Sequence, residues 1–478
     1  MSSTSTNWPH EAPEYSSLAA AVQGEAARWN VPGITAAVLL DGERTTAAAG
    51  VTNLEQPVPV TPDTRFQVGS ITKVFTATAI MALVERGRLD LDAPITEWVP
   101  DLPLRHEAGL RALTIRHLLN HTTGFEGDVF FDTGNGDDAL AEGMTRFDRL
   151  RHWTMPGEIL AYCNTGFYLA GRIIELAAET TYEEAVTRLV IDPLGLEQTG
   201  FASADLVTWP TASGHTLKSR RDGYTVYRPW ALPRVVNAAG GIVSTVGDLL
   251  DFAAMHLNGG VAGAGRVLSE SSTAAMRQRT SRQGVLENGY GIGWNIREVG
   301  GATIVGHGGA TNGFRATLAT IPERGFALAM LTNGDPGTTA MEHIQRWALR
   351  HYLDIESPQR EVLPTEPDSL DAHVGRYERH DATFDVTRVD DHLRIERRTV
   401  EHADQFSHER SADDPPVVME AWPTGDDVFR VLEGPFADVL IEFLEGRLFS
   451  EDGTLTSHPL LRTGGRIAQR IGDTVGGA

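Results

Sequence analysis

Strand-like segments at both ends of the first 350 residues constrain the fold of this chain most. Gly33–Leu40 and Glu43–Gly50 form one pair, joined by the turn Asp41-Gly42. Phe314–Ile321 and Phe326–Thr332 form another pair late in the same stretch. Helical periodicity dominates the residues between them. This arrangement predicts an α+β domain whose antiparallel sheet unites its first and last segments.

Spacing of apolar residues predicts the individual elements. Helices are expected over residues 15–29, 70–87, 137–153, 164–180, 182–191, 245–257, 269–278 and 337–353. Further strands are expected at Gly289–Glu298 and Thr303–Gly306. The helix from residue 70 is apolar on nearly every face, which is typical of a helix buried in the centre of a domain. Residues 203–235 lack a clear period and predict a long loop.

The last 110 residues have a different pattern. Residues 356–368 hold three prolines and four acidic residues, which indicates a linker between domains spanning 1–355 and 369–478. Short alternating segments follow the linker and predict a small antiparallel β-barrel. These segments are Phe384–Val389, His392–Arg397, Val428–Leu432, Val439–Leu444 and Arg447–Ser450.

Composition excludes several classes of protein. A formal net charge of -23 argues against nucleic acid or an anionic membrane as a partner. Met1–Glu14 is polar and does not resemble a signal peptide, and no apolar run approaches the roughly 20 residues of a membrane span. The single cysteine, Cys163, cannot form an internal disulfide. We therefore expect a cytoplasmic protein, and a homo-oligomer is compatible with this composition.

Only two of the 41 basic residues are lysines, and one of them closes the tetrad Ser70-Ile71-Thr72-Lys73. A spacing of three places Ser70 and Lys73 on one face of a helix, one turn apart. A buried lysine can lose its proton and act as a base, whereas arginine stays protonated. A serine beside a neutral lysine is an activated nucleophile, so the tetrad predicts acyl transfer.

Two later segments could complete such a site. Tyr162 and Asn164 flank Cys163 in a loop before a helix, where a tyrosine could act as a base and an asparagine could contact a substrate amide. Taken alone, Tyr-x-Asn is also typical of a turn with a helix N-cap. His307-Gly308-Gly309 lies between two predicted strands, where main-chain N–H groups could bind an oxyanion. Alone, it is also typical of a tight turn with a surface histidine.

Two competing centres receive less support. His117 and His121 have the spacing of zinc ligands, but no Glu follows His117 as in His-Glu-x-x-His. Cys163 would point into the interior if its neighbours at 162 and 164 share one face of an extended loop. We therefore expect no metal and no cofactor, and we expect the cysteine to be structural.

The motifs occur in an order that resembles the serine β-lactamase and penicillin-binding protein superfamily. The flanking residues add to the resemblance over about residues 15–350: Phe66 to Lys73, His117 to Gly124 and Ala239 to Thr245. The chain looks closest to the branch of class C β-lactamases, D-stereospecific peptidases and amidases, and esterases. Asp371 to Tyr377 resembles the start of the lipocalin-like barrel that some relatives carry.

This resemblance implies specific roles. Ser70 would be acylated, Lys73 and Tyr162 would share proton transfer, and which of those two is the base stays open. Asn164 would contact the substrate amide. Gly309 would line the substrate site, and the N–H groups of Ser70 and Ala310 would form the oxyanion hole. His307 stands where many relatives carry a lysine, which disfavours penicillin-like carboxylates.

The resemblance therefore implies a serine hydrolase that acts on a small peptide, with or without a D-residue, or on an amide or ester. One alternative is an acyltransferase, like the stand-alone cyclases that close nonribosomal peptides, with a substrate amine as acceptor. A β-lactamase is a second alternative, and a non-catalytic binding or sensing protein is a third. In relatives with this two-part build the second domain lies near the active site, so we expect the barrel to border the cleft. A role in stability or dimerisation stays open.

Overall fold

The structure is a computed structural model that describes residues 14–472, apart from residues 203–205, 207, 220–222, 263–264, 284–285, 358–359, 401–414, 434–435 and 437. Within this part of the chain no helix is both long and apolar enough to cross a bilayer.

An eight-stranded antiparallel sheet forms the centre of the first 355 residues. Its strands lie in the order Ser281–Gln283, Leu286–Tyr290, Asn295–Val299, Ala302–Thr311, Phe314–Ile321, Phe326–Thr332, Gly33–Leu40 and Glu43–Gly50. Early and late segments meet where Ala36 pairs with Met330. The predicted α+β fold with a sheet built from both ends is therefore confirmed.

Helices cover both faces of this sheet. They span Leu18–Arg28, Thr72–Glu85, Glu107–Ala112, Ile115–Leu119, Ala139–Met144, Asn164–Ala178, Tyr182–Val186, Asp192–Leu194, Asn237–Gly240, Val246–Leu257, Glu270–Met276 and Gly337–Leu353. The first and last of these share one apolar core with the sheet. Most of the others surround Thr72–Glu85 on the opposite face, where residues 72–83 are all buried. Burial on every side explains why this helix has an apolar sequence without a polar stripe.

Small sheets join the loops around this helical region. Phe66–Gln67, Ile242–Ser244 and Gly200–Phe201 form one of them. Two hairpins, His215–Ser219 with Gly223–Val226 and Val261–Ala262 with Gly265–Arg266, form the others. The segment 203–235, expected to be a long loop, therefore contains a hairpin within its described residues.

Three boundaries differ from the sequence prediction. The helix expected over 137–153 ends at Met144, because residues 151–154 are extended and hydrogen-bond to residues 124–126. The strand expected over Gly289–Glu298 is two strands, separated by a turn that buries Trp294. The strand expected to end at Gly306 continues to Thr311, because residues 305–311 pair with residues 314–320 of the next strand. All three differences arise from long-range contacts that a local pattern does not record.

Residues after 370 form a closed eight-stranded antiparallel barrel. Its strands are Gly375–Arg379, Ala382–Val389, His392–Thr399, Val417–Gly425, Val428–Val431, Leu440–Phe449, Leu455–Thr463 and Arg466–Gly472, preceded by the short helix Pro367–Leu370. Alternate side chains point inward and form a separate core. The predicted barrel is confirmed. It has eight strands, and two segments expected to be separate, Val439–Leu444 and Arg447–Ser450, belong to the single strand Leu440–Phe449.

The barrel contacts the helical region directly. The turn between its last two strands accepts a hydrogen bond at the Gly465 carbonyl from the N–H of Tyr162, at 2.7 Å. Arg462, 2% exposed, donates to the Leu160 carbonyl at 3.1 Å and pairs with Glu442. Trp153 and Ile159 share a small apolar core with the barrel residues Leu448, Leu460 and Ile467. This contact positions the turn at residues 463–466 beside Tyr162.

Candidate active site

Ser70 and Lys73 lie at the start of the central helix. Gly69–Ile71 forms a single 3-10 turn that continues into Thr72–Glu85, and Gly69 has a φ of +52°. A glycine adopts this left-handed conformation without strain. Lys73 is one turn further on, and its Nζ is 3.1 Å from Ser70 Oγ. The side chains of Ser70 and Lys73 are therefore within hydrogen-bond distance of each other, as their spacing predicts.

The ammonium group of Lys73 is completely buried and contacts only neutral groups. Its Nζ donates to Asn164 Oδ1 and to the Ala239 carbonyl, both at 2.7 Å. Burial without a directly paired carboxylate lowers the pKa of Lys73 well below its ordinary value of 10.5, and the nearby charge of Arg466 lowers it further. Lys73 can therefore exist as the neutral amine that accepts a proton.

Tyr162 lies beside Lys73 in a buried aromatic cluster. Its ring stacks on His121 with 4.2 Å between centroids, and Lys73 Nζ is 5.0 Å from its ring centre. Burial raises the pKa of the Tyr162 phenol, while a hydrogen bond to Ser70 and the charge of Arg466 oppose this shift. Tyr162 therefore keeps its proton and can donate it.

Asn164 connects Lys73 to a carboxylate. It begins the helix Asn164–Ala178, where Cys163 accepts the capping N–H of Gly166. Its Oδ1 accepts from Lys73, and its Nδ2 donates to Asp128 Oδ1 at 2.7 Å. The side chains at 162 and 164 both line the same cavity, as the alternation predicts, and the buried Cys163 points away from it.

The barrel supplies a residue that the sequence analysis missed. Arg466 Nε lies 2.6 Å from Asp128 Oδ2, and its guanidinium group lies 4.5 Å from the centre of the Tyr162 ring. A continuous chain of contacts therefore runs from Lys73 through Asn164 and Asp128 to Arg466. Neither Arg466 nor Asp128 belongs to a recognisable motif. Arginine and aspartate are common at protein surfaces, so the sequence alone does not single them out.

His307 is a neutral group at this site. Its Nδ1 donates to the Gly308 carbonyl at 2.5 Å. Burial and the charge of Lys73 lower the pKa of His307 to about 3. Its buried Nε2 has no hydrogen-bond partner among the described residues. The imidazole therefore supplies no permanent positive charge where many relatives have a lysine.

Close backbone contact brings Ala310 beside the nucleophile. A Cβ atom at Gly69 would lie 2.7 Å from the Ala310 nitrogen, and one at Gly309 would lie 2.0 Å from the Val68 carbonyl oxygen. Glycine at both positions lets the strand Ala302–Thr311 touch the turn that carries Ser70. The Ala310 N–H therefore lies beside the turn that carries Ser70, and a shared oxyanion role for the N–H groups of Ser70 and Ala310 stays a prediction.

These groups open into one cavity of about 710 Å³. Ser70, Tyr162, Asn164, His307, Gly309 and Ala310 all line it. The barrel contributes Asp381, Gly464 and Arg466 to its wall. The barrel therefore borders the cleft, as expected.

The residues considered as a zinc site or as a cysteine nucleophile make local structural contacts. His117 Nδ1 accepts the N–H of Thr114 at 3.2 Å, and His121 Nδ1 accepts the N–H of Cys163 at 3.0 Å. Burial raises the pKa of the Cys163 thiol, which disfavours the thiolate that a cysteine nucleophile needs.

Comparison with known proteins identifies several proteins that this chain is similar to. The family model described as Beta-lactamase matches residues 18–352. Penicillin-binding protein 4 of Amycolatopsis lactamdurans is 34% identical over 357 residues, which cover 73% of this chain and 94% of that protein. The crystal structure of SurE with D-Leu matches at a TM-score of 0.68 and 26% identity, covering 94% of this chain and 97% of SurE.

A third relative matches a smaller part of the chain. The D-amino acid amidase from Ochrobactrum anthropi SV3, complexed with L-phenylalanine amide, has a TM-score of 0.60 and 25% identity. It covers 70% of this chain and 98% of the amidase. SurE, by contrast, matches over 94% of this chain, which includes both the N-terminal unit and the barrel.

Proposed function

Because this chain belongs to the β-lactamase family and is one of its serine hydrolases, we propose that it acts through an acyl-enzyme on a small peptide, amide or ester, including substrates with a D-residue. One observation carries the proposal. A fully buried Lys73 lies 3.1 Å from Ser70 Oγ at the wall of a cavity of about 710 Å³.

The proposed first step transfers one proton and forms one bond. The Ser70 hydroxyl proton moves to neutral Lys73 while Ser70 Oγ attacks the substrate carbonyl carbon. The carbonyl oxygen becomes an oxyanion that accepts hydrogen bonds from the N–H groups of Ser70 and Ala310. The lowered pKa of Lys73 and the raised pKa of Tyr162 favour Lys73 as the base.

Collapse of the tetrahedral intermediate then releases the leaving group. Its amine or alkoxide takes a proton from the Tyr162 hydroxyl, and Lys73 returns its proton to Tyr162. In the second half of the cycle water attacks the carbonyl carbon of the Ser70 ester while Lys73 takes one of its protons. Lys73 then returns that proton to Ser70 Oγ as the acid product leaves, which restores the free serine. Every group in this relay is within the buried cluster around Ser70.

The neutral state of His307 and the relatives support this substrate class. A neutral imidazole at this position weakens the attraction for the carboxylate of a penicillin, which disfavours the β-lactamase alternative. One relative is a D-amino acid amidase, and the structure of another, SurE, contains D-Leu. They motivate D-configured amides and peptides as the first substrates to test.

An amine as acyl acceptor is the second candidate. The match to SurE covers nearly the whole chain, and the ligand in that structure, D-Leu, carries both an amine and a carboxylate. The same acyl-enzyme would then form an amide instead of an acid. Product analysis in the presence of added D- or L-amino acids distinguishes the two acceptors.

Intact-mass measurement of Ser70 acylation tests the proposal. The protein is incubated with p-nitrophenyl esters, D- and L-aminoacyl amides, and nitrocefin, and each adduct mass is read directly. We expect adducts with esters and D-aminoacyl amides, slow or no adduct with nitrocefin, and none in Ser70→Ala. Absence of any adduct, together with no labelling by a serine-reactive fluorophosphonate, would favour a non-catalytic protein.

A further inference from the structure

The active-site cavity extends past the strand Ala302–Thr311 to the opposite face of the sheet. Gly306 and Gly308 pair with Ala319 and Thr317, so these positions share the face that carries the helix Gly337–Leu353. We call this extension the glycine lobe, and its lining consists of Arg297, Gly306, Gly308, Thr317, Glu342 and Gln345. A Cβ atom at Gly308 would meet nothing nearer than the Ala316 carbonyl oxygen at 3.8 Å, so this glycine leaves room for a ligand that has passed the end of the strand.

Arg297 enters the glycine lobe from the neighbouring strand. It lies on the strand Asn295–Val299 and pairs with Ile304, whose side chain belongs to the core beneath the helix Gly337–Leu353. Burial lowers the pKa of Arg297, and the charges of Glu342 and Tyr290 only partly oppose this effect. Arg297 is half-buried, so its guanidinium group is partly removed from water while it lines a cavity that a substrate can enter.

Arg297 differs from the other two arginines of this cavity. Arg466 is held by Asp128 at 2.6 Å, and Arg315 by Asp335 at 3.1 Å. Among the residues that the structure describes, Arg297 makes no hydrogen bond or ion pair. A planar guanidinium group in a desolvated site favours a carboxylate that accepts two parallel hydrogen bonds.

Glu342 limits the charge that the glycine lobe can accept. It lies on the helix that covers the lobe, and burial raises its pKa, an effect that Asp438 strengthens and that Arg346 and Arg297 oppose. A second negative group on the ligand would meet this carboxylate. The lobe therefore suits one carboxylate and disfavours a dianion.

We propose that Arg297 is a specificity-determining residue that binds a single carboxylate of the substrate in the glycine lobe. This inference rests on the proposed function and narrows its substrate class to peptides, amides or esters that carry a free carboxylate. His307 is neutral and the other two guanidinium groups of the cavity are paired, so Arg297 is the cation that this carboxylate would meet.

Two pairs of esters, used with the full-length protein, test this inference. In one pair the acyl group is the same and the leaving group is 3-hydroxybenzoate or its methyl ester. In the other pair the leaving group is p-nitrophenol and the acyl group is a succinyl group or its methyl ester. The preference is the ratio of kcat/KM for the free carboxylate to that for its methyl ester.

Substitutions should move this preference in opposite directions. We expect Arg297→Gln to lower the preference in at least one pair by at least about tenfold, because it removes a charge-assisted pair of hydrogen bonds. Arg297→Lys should keep part of it, and Glu342→Gln should raise it severalfold. The matched control is Arg279→Gln, since Arg279 pairs with Glu298 at 3.0 Å and does not line the cavity.

The possible outcomes distinguish a failure of this inference from a failure of the proposed function. If neither these esters nor the p-nitrophenyl esters, aminoacyl amides and fluorophosphonate of the first test acylate or label Ser70, the proposed function fails. If the esters are hydrolysed but neither pair shows a preference, or if Arg297→Gln leaves the preference unchanged, only the role of Arg297 is overturned. An equal fall in kcat/KM for both members of a pair would also overturn it, because that result indicates a structural role.

Discussion

Glu126 gives this protein a pH-dependent stability that one substitution should remove. Its carboxylate is buried between the helical region and the barrel, and Trp153 Nε1 donates to its Oε2 at 3.0 Å. Burial, aided by the negative charge of Asp128, raises the pKa of Glu126 from 4.5 to about 7. Arg379 of the barrel opposes this shift only partly. The folded protein therefore binds this proton more tightly than the unfolded chain does.

The direction of the effect follows from linkage. A carboxyl group whose pKa is raised on folding destabilises the protein increasingly as the pH rises from about 4.5 to about 7. This rise in the pKa lowers the free energy of unfolding by about 3 kcal/mol once the group is fully ionised. Most of that stability is lost between about pH 5 and pH 8. Glu126→Gln removes the titration and keeps an oxygen for the Trp153 N–H.

Urea unfolding at pH 5 and pH 8, followed by tryptophan fluorescence, measures this effect. We expect Glu126→Gln to be stabilised relative to the natural protein by about 2–3 kcal/mol more at pH 8 than at pH 5. Glu142→Gln, which alters an exposed carboxylate on the helix Ala139–Met144, serves as the control. An identical pH dependence in Glu126→Gln and the natural protein would refute the reasoning, because no other titrating group is changed.

Three further predictions concern the chemistry. Lys73→Arg should lower kcat for p-nitrophenyl esters by about 100-fold or more, since arginine keeps the charge but cannot accept a proton; retention of most activity would exclude Lys73 as the base. The acid limb of the kcat/KM profile should lie well below pH 10.5, the ordinary pKa of lysine, because burial lowers the pKa of Lys73; a limb at the ordinary value would contradict this. Arg466→Gln should lower kcat/KM by at least about tenfold, because Asp128 is left half-buried without its partner. The double variant Arg466→Gln with Asp128→Asn should recover part of that loss, and a further additive loss would show that the pair does not act together.

Local sequence determined the elements that carry the nucleophile and its neighbours. A spacing of three residues on a helix is enough to bring Ser70 next to Lys73, because the helix repeat fixes which side chains share a face. Alternation along an extended loop likewise directs Tyr162 and Asn164 to one side and Cys163 to the other. The paired strands Gly33–Leu40 and Glu43–Gly50 have the predicted bounds because their turn and apolar content are local signals.

Only the tertiary structure decided the chemical state of these groups. The pKa of Lys73 depends on its burial and on the charges of Arg466 and Asp128, none of which a short motif contains. Arg466 reaches Asp128 because a barrel turn docks beside Tyr162, and Arg297 lines the cavity because Gly308 on the neighbouring strand has no side chain to fill it. Burial and long-range charge are properties of the folded chain, since both depend on residues far apart in sequence.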